Sequence, residues 1–164
     1  MRKVMMLVGL MMVMACSQTV PPVQTLQRQG TEINASVGKT WDETINQFAN
    51  FNIPIATLER ASGFVATKEL NANVDTTYYD CGKQTGGIDG DLRYPASRVS
   101  YNVRVLGDST HATVKVTAEY TSDYAKTGFL ATTPGPSIHR DCSSKGKFEQ
   151  SFEQAVRVGA EAKK

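Results

Sequence analysis

Two alternating runs restrict the fold more than any other feature of the chain. Val99, Tyr101, Val103 and Val105 alternate with other residues, Gly107-Asp108 supplies a turn, and Ala112, Val114, Val116 and Ala118 alternate again. Side chains on a strand point to opposite faces at period two, so each run has one apolar and one solvated face. The intervening turn predicts an antiparallel hairpin whose apolar side needs a cover.

Weaker signals flank this pair. Ile53 to Glu59 is rich in β-branched residues and is separated from Phe64 to Leu70 by Arg60-Ala61-Ser62-Gly63, which reads as a second hairpin, with Pro54 at a strand start or edge. Thr40-Trp41-Asp42-Glu43 matches a capping box and predicts a helix beginning there. Trp41, Ile45 and Phe48 share one face of that helix, which makes the sole tryptophan a core residue. Phe148, Phe152, Ala155 and Val156 predict a last helix, introduced by Ser143-Ser144. The predicted order is helix, four strands, helix. This is an α+β fold in which a single antiparallel sheet of about four strands carries an N-terminal and a C-terminal helix on one face. The 164 residues, 40% of them hydrophobic, suit one such domain.

The N-terminus has a different character. Arg2 and Lys3 precede an apolar run from Val4 to Ala15, too short for the roughly 20 residues that span a bilayer, so residues 1–15 read as a signal peptide. Val13-Met14-Ala15-Cys16 resembles the lipobox of bacterial lipoproteins, with Val13 and Met14 standing where leucine and alanine or serine are usual. The resemblance implies a diacylglyceryl-modified Cys16 and, with Ser17 rather than aspartate next to it, sorting to the outer membrane on its periplasmic side. Acyl chains contributing about 0.8 kcal/mol per buried methylene would hold the chain on the membrane without spanning it. Residues 16–38 lack hydrophobic period and carry Pro21-Pro22, which predicts a flexible tether rising tens of ångströms, followed by the periplasmic domain at 39–164. The other reading of 31–35 is an edge strand of that domain. With the two leader cations set aside, positive and negative residues are equal in number, which leaves no electrostatic footprint for nucleic acid.

A second resemblance arises from Thr40-Trp41-Asp42-Glu43, Asn52-Ile53-Pro54-Ile55 and Arg60-Ala61-Ser62-Gly63-Phe64-Val65-Ala66-Thr67. These runs look like the helix-to-hairpin start of the helix-grip domains in BamC-like outer-membrane lipoproteins. The likeness covers roughly residues 37–70, with further agreement near 99–119. Those proteins typically carry two such domains and this chain one, so a role in the β-barrel assembly machine does not follow from the likeness.

Cys81 and Cys142 form an even pair in an exported domain and are predicted to be disulfide-bonded. Such a bond closes a loop of some sixty residues, for which chain entropy suggests about 4 kcal/mol. A zinc site from His139, Cys142, Cys81 and His111 is the alternative, although His111 is placed toward solvent by its strand phase. No metal or cofactor is expected. Neither a G-x-S-x-G elbow, an H-E-x-x-H, a P-loop nor a dinucleotide fingerprint occurs, and the glycines at 86, 87 and 90 read as a loop. The chain is therefore not expected to be an enzyme.

Function is expected on two irregular segments, roughly 71–95 and 121–141. They hold Tyr78, Tyr79, Tyr94, Tyr124, Phe129 and Leu130, aromatic and apolar residues suited to partner recognition if they do not simply pack onto the core. The leading expectation is an outer-membrane-anchored module that binds another envelope protein or supports envelope assembly. A lipoprotein that binds a small apolar or lipidic ligand between helix and sheet is the alternative. A hydrolase would need His111 or His139 beside a buried carboxylate.

Overall fold

A computed structural model describes residues 18–23, 28–72, 77–85, 93–125 and 137–162. In chain order they form β1 (Gln18–Val20), β2 (Thr31–Ile33), α1 (Val37–Asn50), β3 (Ile55–Glu59), β4 (Phe64–Thr67) and β5 (Leu70–Ala72). There follow β6 (Tyr79–Asp80), β7 (Lys83–Thr85), β8 (Arg93–Gly107), β9 (Ala112–Ala125), β10 (Ser137–Ser144) and α2 (Lys147–Ala162). All strand pairs are antiparallel.

The expected four-stranded sheet is thus corrected to one of eight strands, ordered β3-β4-β8-β9-β10-β6, with β2 on β9 and β5 on β8; β1 and β7 form a separate pair. The β8–β9 hairpin is the spine, and it is longer than its apolar alternation. Pairing runs from Gly107↔Ala112 through Val103↔Val116 and Val99↔Tyr120 to Arg93↔Ala125, with the register shifting between Arg93 and Ala96, where Pro95 has no N–H for the ladder. Two strands of such length offer edges that shorter segments can join. β4 and β5 follow one another along β8, and β2 and β10 follow one another along β9. The recruited strands are very short or, like the β10 sequence SIHRDCSS, polar, and neither kind carries the alternation that betrays a strand.

The second hairpin forms as expected, with β3 and β4 meeting at Glu59↔Phe64. Its Gly63 has φ +64°, and a Cβ there would run into the carbonyl of Val105, so this turn accepts only glycine without strain. Pro54 lies just before β3, which is one of the two terminal strands of the sheet among the described residues.

Helix α1 starts three residues earlier than Thr40-Trp41-Asp42-Glu43 predicts. The N-cap is Ser36, whose hydroxyl accepts from the Lys39 N–H, while the Val37 N–H donates to the Asp108 carbonyl in the β8–β9 turn. Thr40 is consequently buried inside the helix. Glu43 does not reach back to a cap; it accepts from the Gln47 amide at 2.7 Å and lies against Gly159 of α2. Ser36, four residues before Thr40, provides a cap beside the hairpin turn, and the Val37–Asp108 contact decides the start.

Within 16–38 the described residues include two paired segments, the second matching the alternative reading of 31–35 as a strand of the domain. β1 pairs with β7, and Thr31, Glu32 and Ile33 pair with Val114, Thr113 and Ala112. A buried carboxylate secures the second contact. Glu153 of α2 accepts from Arg28 at 2.7 Å, from the Thr31 hydroxyl at 2.8 Å and from the Val116 N–H at 2.9 Å, an amide just past the end of the β2 pairing. Fully buried, this carboxylate needs every one of those donors.

Both helices cover the same sheet face. Trp41, Phe48, Phe152 and Val156 pack on Val65, Val103, Val105, Val114 and Val116, and the Phe48 and Phe152 rings lie 4.9 Å apart. Trp41 is therefore a core residue, as its spacing indicates.

Candidate functional site

The sheet face that the helices cover continues beyond them. Past Val103↔Val116, the inward positions of the spine become Tyr101↔Ala118, Val99↔Tyr120 and Ser97↔Ser122. Here the cover is made by Phe148 at the start of α2, by β5 and by Tyr79 at the start of β6. These elements do not close over the sheet. They leave an open cleft of about 350 Å³ lined by Leu70, Asn71, Ala72, Tyr78, Tyr79, Val99, Tyr101, Tyr120 and Phe148.

The walls are stacked rings. Tyr79 lies on Tyr120 with centroids 4.8 Å apart and 22° between planes, and Phe148 lies on Tyr101 at 4.2 Å and 27°. Burial raises the phenol pKa values of both Tyr101 and Tyr120, so both groups remain neutral at physiological pH. Behind them lies Glu149, only 4% exposed. One of its carboxylate oxygens accepts from the Ser144 hydroxyl, and the other has no hydrogen-bond partner among the described residues. The Tyr79 hydroxyl, on a residue 3% exposed, also lacks one. Each buried unpaired polar group costs about 1–3 kcal/mol, so the cleft joins a large apolar surface to unspent hydrogen-bonding capacity.

The predicted disulfide is present, linking Cys81 to Cys142 across 61 positions. Its placement is informative: Cys142 is the cross-strand partner of Tyr120, and Cys81 follows Tyr79-Asp80 directly. The bond therefore staples β6 to β10 beside the Tyr79–Tyr120 stack. Because both sulfurs are consumed, the alternative zinc site loses its thiolates. Among the described residues no group of three His, Cys, Asp or Glu side chains is placed to hold a metal.

Of the predicted recognition residues, the structure brings two together at this cleft. Tyr78 is 41% exposed at its lip and Tyr79 is buried in its wall. Tyr94 and Tyr124 belong to β8 and β9 instead of loops, a correction that follows from the length of the spine. Phe129 and Leu130 lie outside the described residues, as does Cys16. Tyr101, Tyr120, Phe148 and Leu70 escaped prediction as site residues. The signal for Tyr120 was present: it continues the phase of Ala112 to Ala118 by one more step, an inward tyrosine where aliphatic residues precede it.

On the opposite, polar face, His139 Nδ1 lies 2.8 Å from Asp123, whose other oxygen is 3.3 Å from Arg98, itself 3.4 Å from Glu69. The second imidazole nitrogen faces Asp141 at 3.9 Å. A carboxylate on each side of the ring, with Asp123 only half-buried, makes a cross-strand charge ladder over β8, β9 and β10. His111 sits exposed in the hairpin turn, hydrogen-bonded to the Thr110 hydroxyl at 2.9 Å.

No family model matches the chain, and no curated protein matches it significantly. Among the described residues no helix is long and apolar enough to cross a membrane.

Proposed function

We propose that this chain is an outer-membrane lipoprotein, lipidated on Cys16 and facing the periplasm, that acts as a protein-binding accessory module in envelope assembly, with the tyrosine cleft taking an apolar side chain of its partner. The cleft carries this reading. Tyrosine offers wide contact area at low entropic cost together with a hydroxyl, and such residues around a small recess form the usual centre of a protein interface. The Cys81–Cys142 bond supports export to an oxidising compartment, and the likeness of residues 13–16 to a lipobox supports the anchor. A place in the barrel-assembly machine is not part of the proposal.

The cleft volume also favours the second reading, a small apolar or lipidic ligand, because about 350 Å³ lies at the lower end of the range for ligand pockets. The two are separated by a photo-crosslinking residue in place of Tyr78, introduced into the full-length protein in cells, with Leu106 as control position. An adduct with an envelope protein at position 78, lost in Cys16→Ala cells and absent at 106, is the expected result. Adducts of lipid size alone that persist in Cys16→Ala cells, where the protein is off the membrane, would replace the protein-binding reading with the ligand-binding one.

A further inference from the structure

The position of β1 bears on how the domain meets the membrane. Gln18 pairs with Thr85 and Val20 with Lys83, and the Val23 N–H is 3.2 Å from the Asp80 carboxylate. Gly82, at φ +75°, lets the chain approach so closely that a Cβ there would meet the Val20 carbonyl and the backbone of Pro21 and Pro22. The segment nearest the proposed anchor is therefore fastened to the domain.

Chain geometry then limits the distance. Cys16 precedes Gln18 by two residues, a reach of about 7 Å at full extension, and precedes Val20 by four, about 14 Å. A domain held that closely cannot stand tens of ångströms above the lipid. The surface it presents there fits the surroundings. Val20 is 48% exposed and Val23 75%, and exposed Tyr78 lies two residues before the Asp80 that holds Val23. Aliphatic side chains with a tyrosine at their border match the headgroup region, where an aromatic ring with a polar tip is favoured.

We propose that β1 seats the domain directly on the lipid surface, with Val20, Val23 and Tyr78 as its apolar contacts and the lip of the tyrosine cleft at the headgroups. This rests on the reading of Cys16 as lipid-bearing. A rival face exists in the open basic groove of Arg28, Lys147 and Arg157 along α2, which would prefer anionic headgroups.

The test uses full-length lipidated protein in vesicles of phosphatidylethanolamine and phosphatidylglycerol. Val23→Cys, Ser151→Cys and Leu106→Cys variants each carry an environment-sensitive fluorophore, the native cysteines being occupied by the disulfide and the lipid. All three positions are exposed, so the fold tolerates them. The label at 23 is expected to brighten several-fold and to be quenched by lipids bearing a headgroup quencher, with the labels at 151 and 106 unchanged. Protein that floats with the vesicles while the label at 23 stays as dim as in non-lipidated Cys16→Ala protein overturns the seating and leaves the anchor intact. Brightening at 151 instead assigns the membrane to the basic groove and also overturns it. An unmodified Cys16 peptide by mass spectrometry, with no flotation, removes the anchoring reading itself, and the seating with it.

Discussion

The same two strands run through two unlike halves of this molecule. In the half nearer the β8–β9 turn, the inward positions of the spine are valines, and two helices seal them beneath Phe48, Phe152 and Trp41. In the other half the inward positions include Tyr101, Tyr120, Ser97 and Ser122; among the described residues a helix reaches them only through Phe148 at the first turn of α2, and a disulfide fastens the neighbouring strands. The Ser97 and Ser122 hydroxyls satisfy each other at 3.1 Å. A half whose stability comes from a covalent staple can leave a recess open, because it does not depend on excluding water from every inward side chain. The comparison thus explains why the cleft lies where it does. Phe148 and Ile53 pack against both halves and join them.

The largest way to break the comparison is through the sealed half. Phe152→Ala removes a fully buried ring that lies within 6 Å of the Phe48, Phe51 and Phe148 rings. It is expected to cost about 4 kcal/mol in urea unfolding of the oxidised protein. A loss under 1 kcal/mol would mean that the helices are not what holds this half together.

Removing the staple with Cys81→Ala plus Cys142→Ala is expected to cost somewhat less, about 3 kcal/mol. Its distribution is the sharper measurement. Amide exchange should rise most at 79–85 and 137–144, the strands on either side of the bond, while α1 and α2 keep their protection. Uniform deprotection would show that the halves unfold as one.

The smallest expected effect lies at the tip of the sealed half. Asp108 accepts from the His111 N–H, then from the Thr110 N–H and hydroxyl, and these bonds hold its carboxyl at about 2 instead of the ordinary 3.8. The folded value is the lower one, so the contribution to stability is fully present above 3.8 and is lost as the pH falls through about 2. Asp108→Asn should flatten this part of the acid unfolding profile, and carboxyl NMR should place the wild-type midpoint near the lower value. A midpoint near 3.8 would remove the turn from the account.

Much of this architecture is legible in the chain. Alternation at 99–105 and 112–118 marks the spine because one face of each strand is buried and the other wet. Gly63 marks a turn that no other residue fits without strain, and the even pair of Cys81 and Cys142 marks the staple. The legible part stops where burial no longer follows a simple period. Tyr120 prolongs the alternation of β9, yet in sequence it is indistinguishable from one more core residue; only the fold makes it the wall of a cleft, stacked on Tyr79. Ser36, not Thr40, caps α1 because the β8–β9 turn offers the Val37 N–H a partner. Glu153 reads as one more polar residue on a helix, and only the fold brings it Arg28, Thr31 and the Val116 N–H. Elements whose partners are local or whose periodicity is strong can be read from the residues alone: the spine, the second hairpin, the two helices and the cysteine pair. Tertiary structure decided the rest, namely eight strands in place of four, the docking of 18–23 and 28–33, and the site. Short or polar strands and buried carboxylates have no preference of their own until distant chain supplies the hydrogen bonds that hold them.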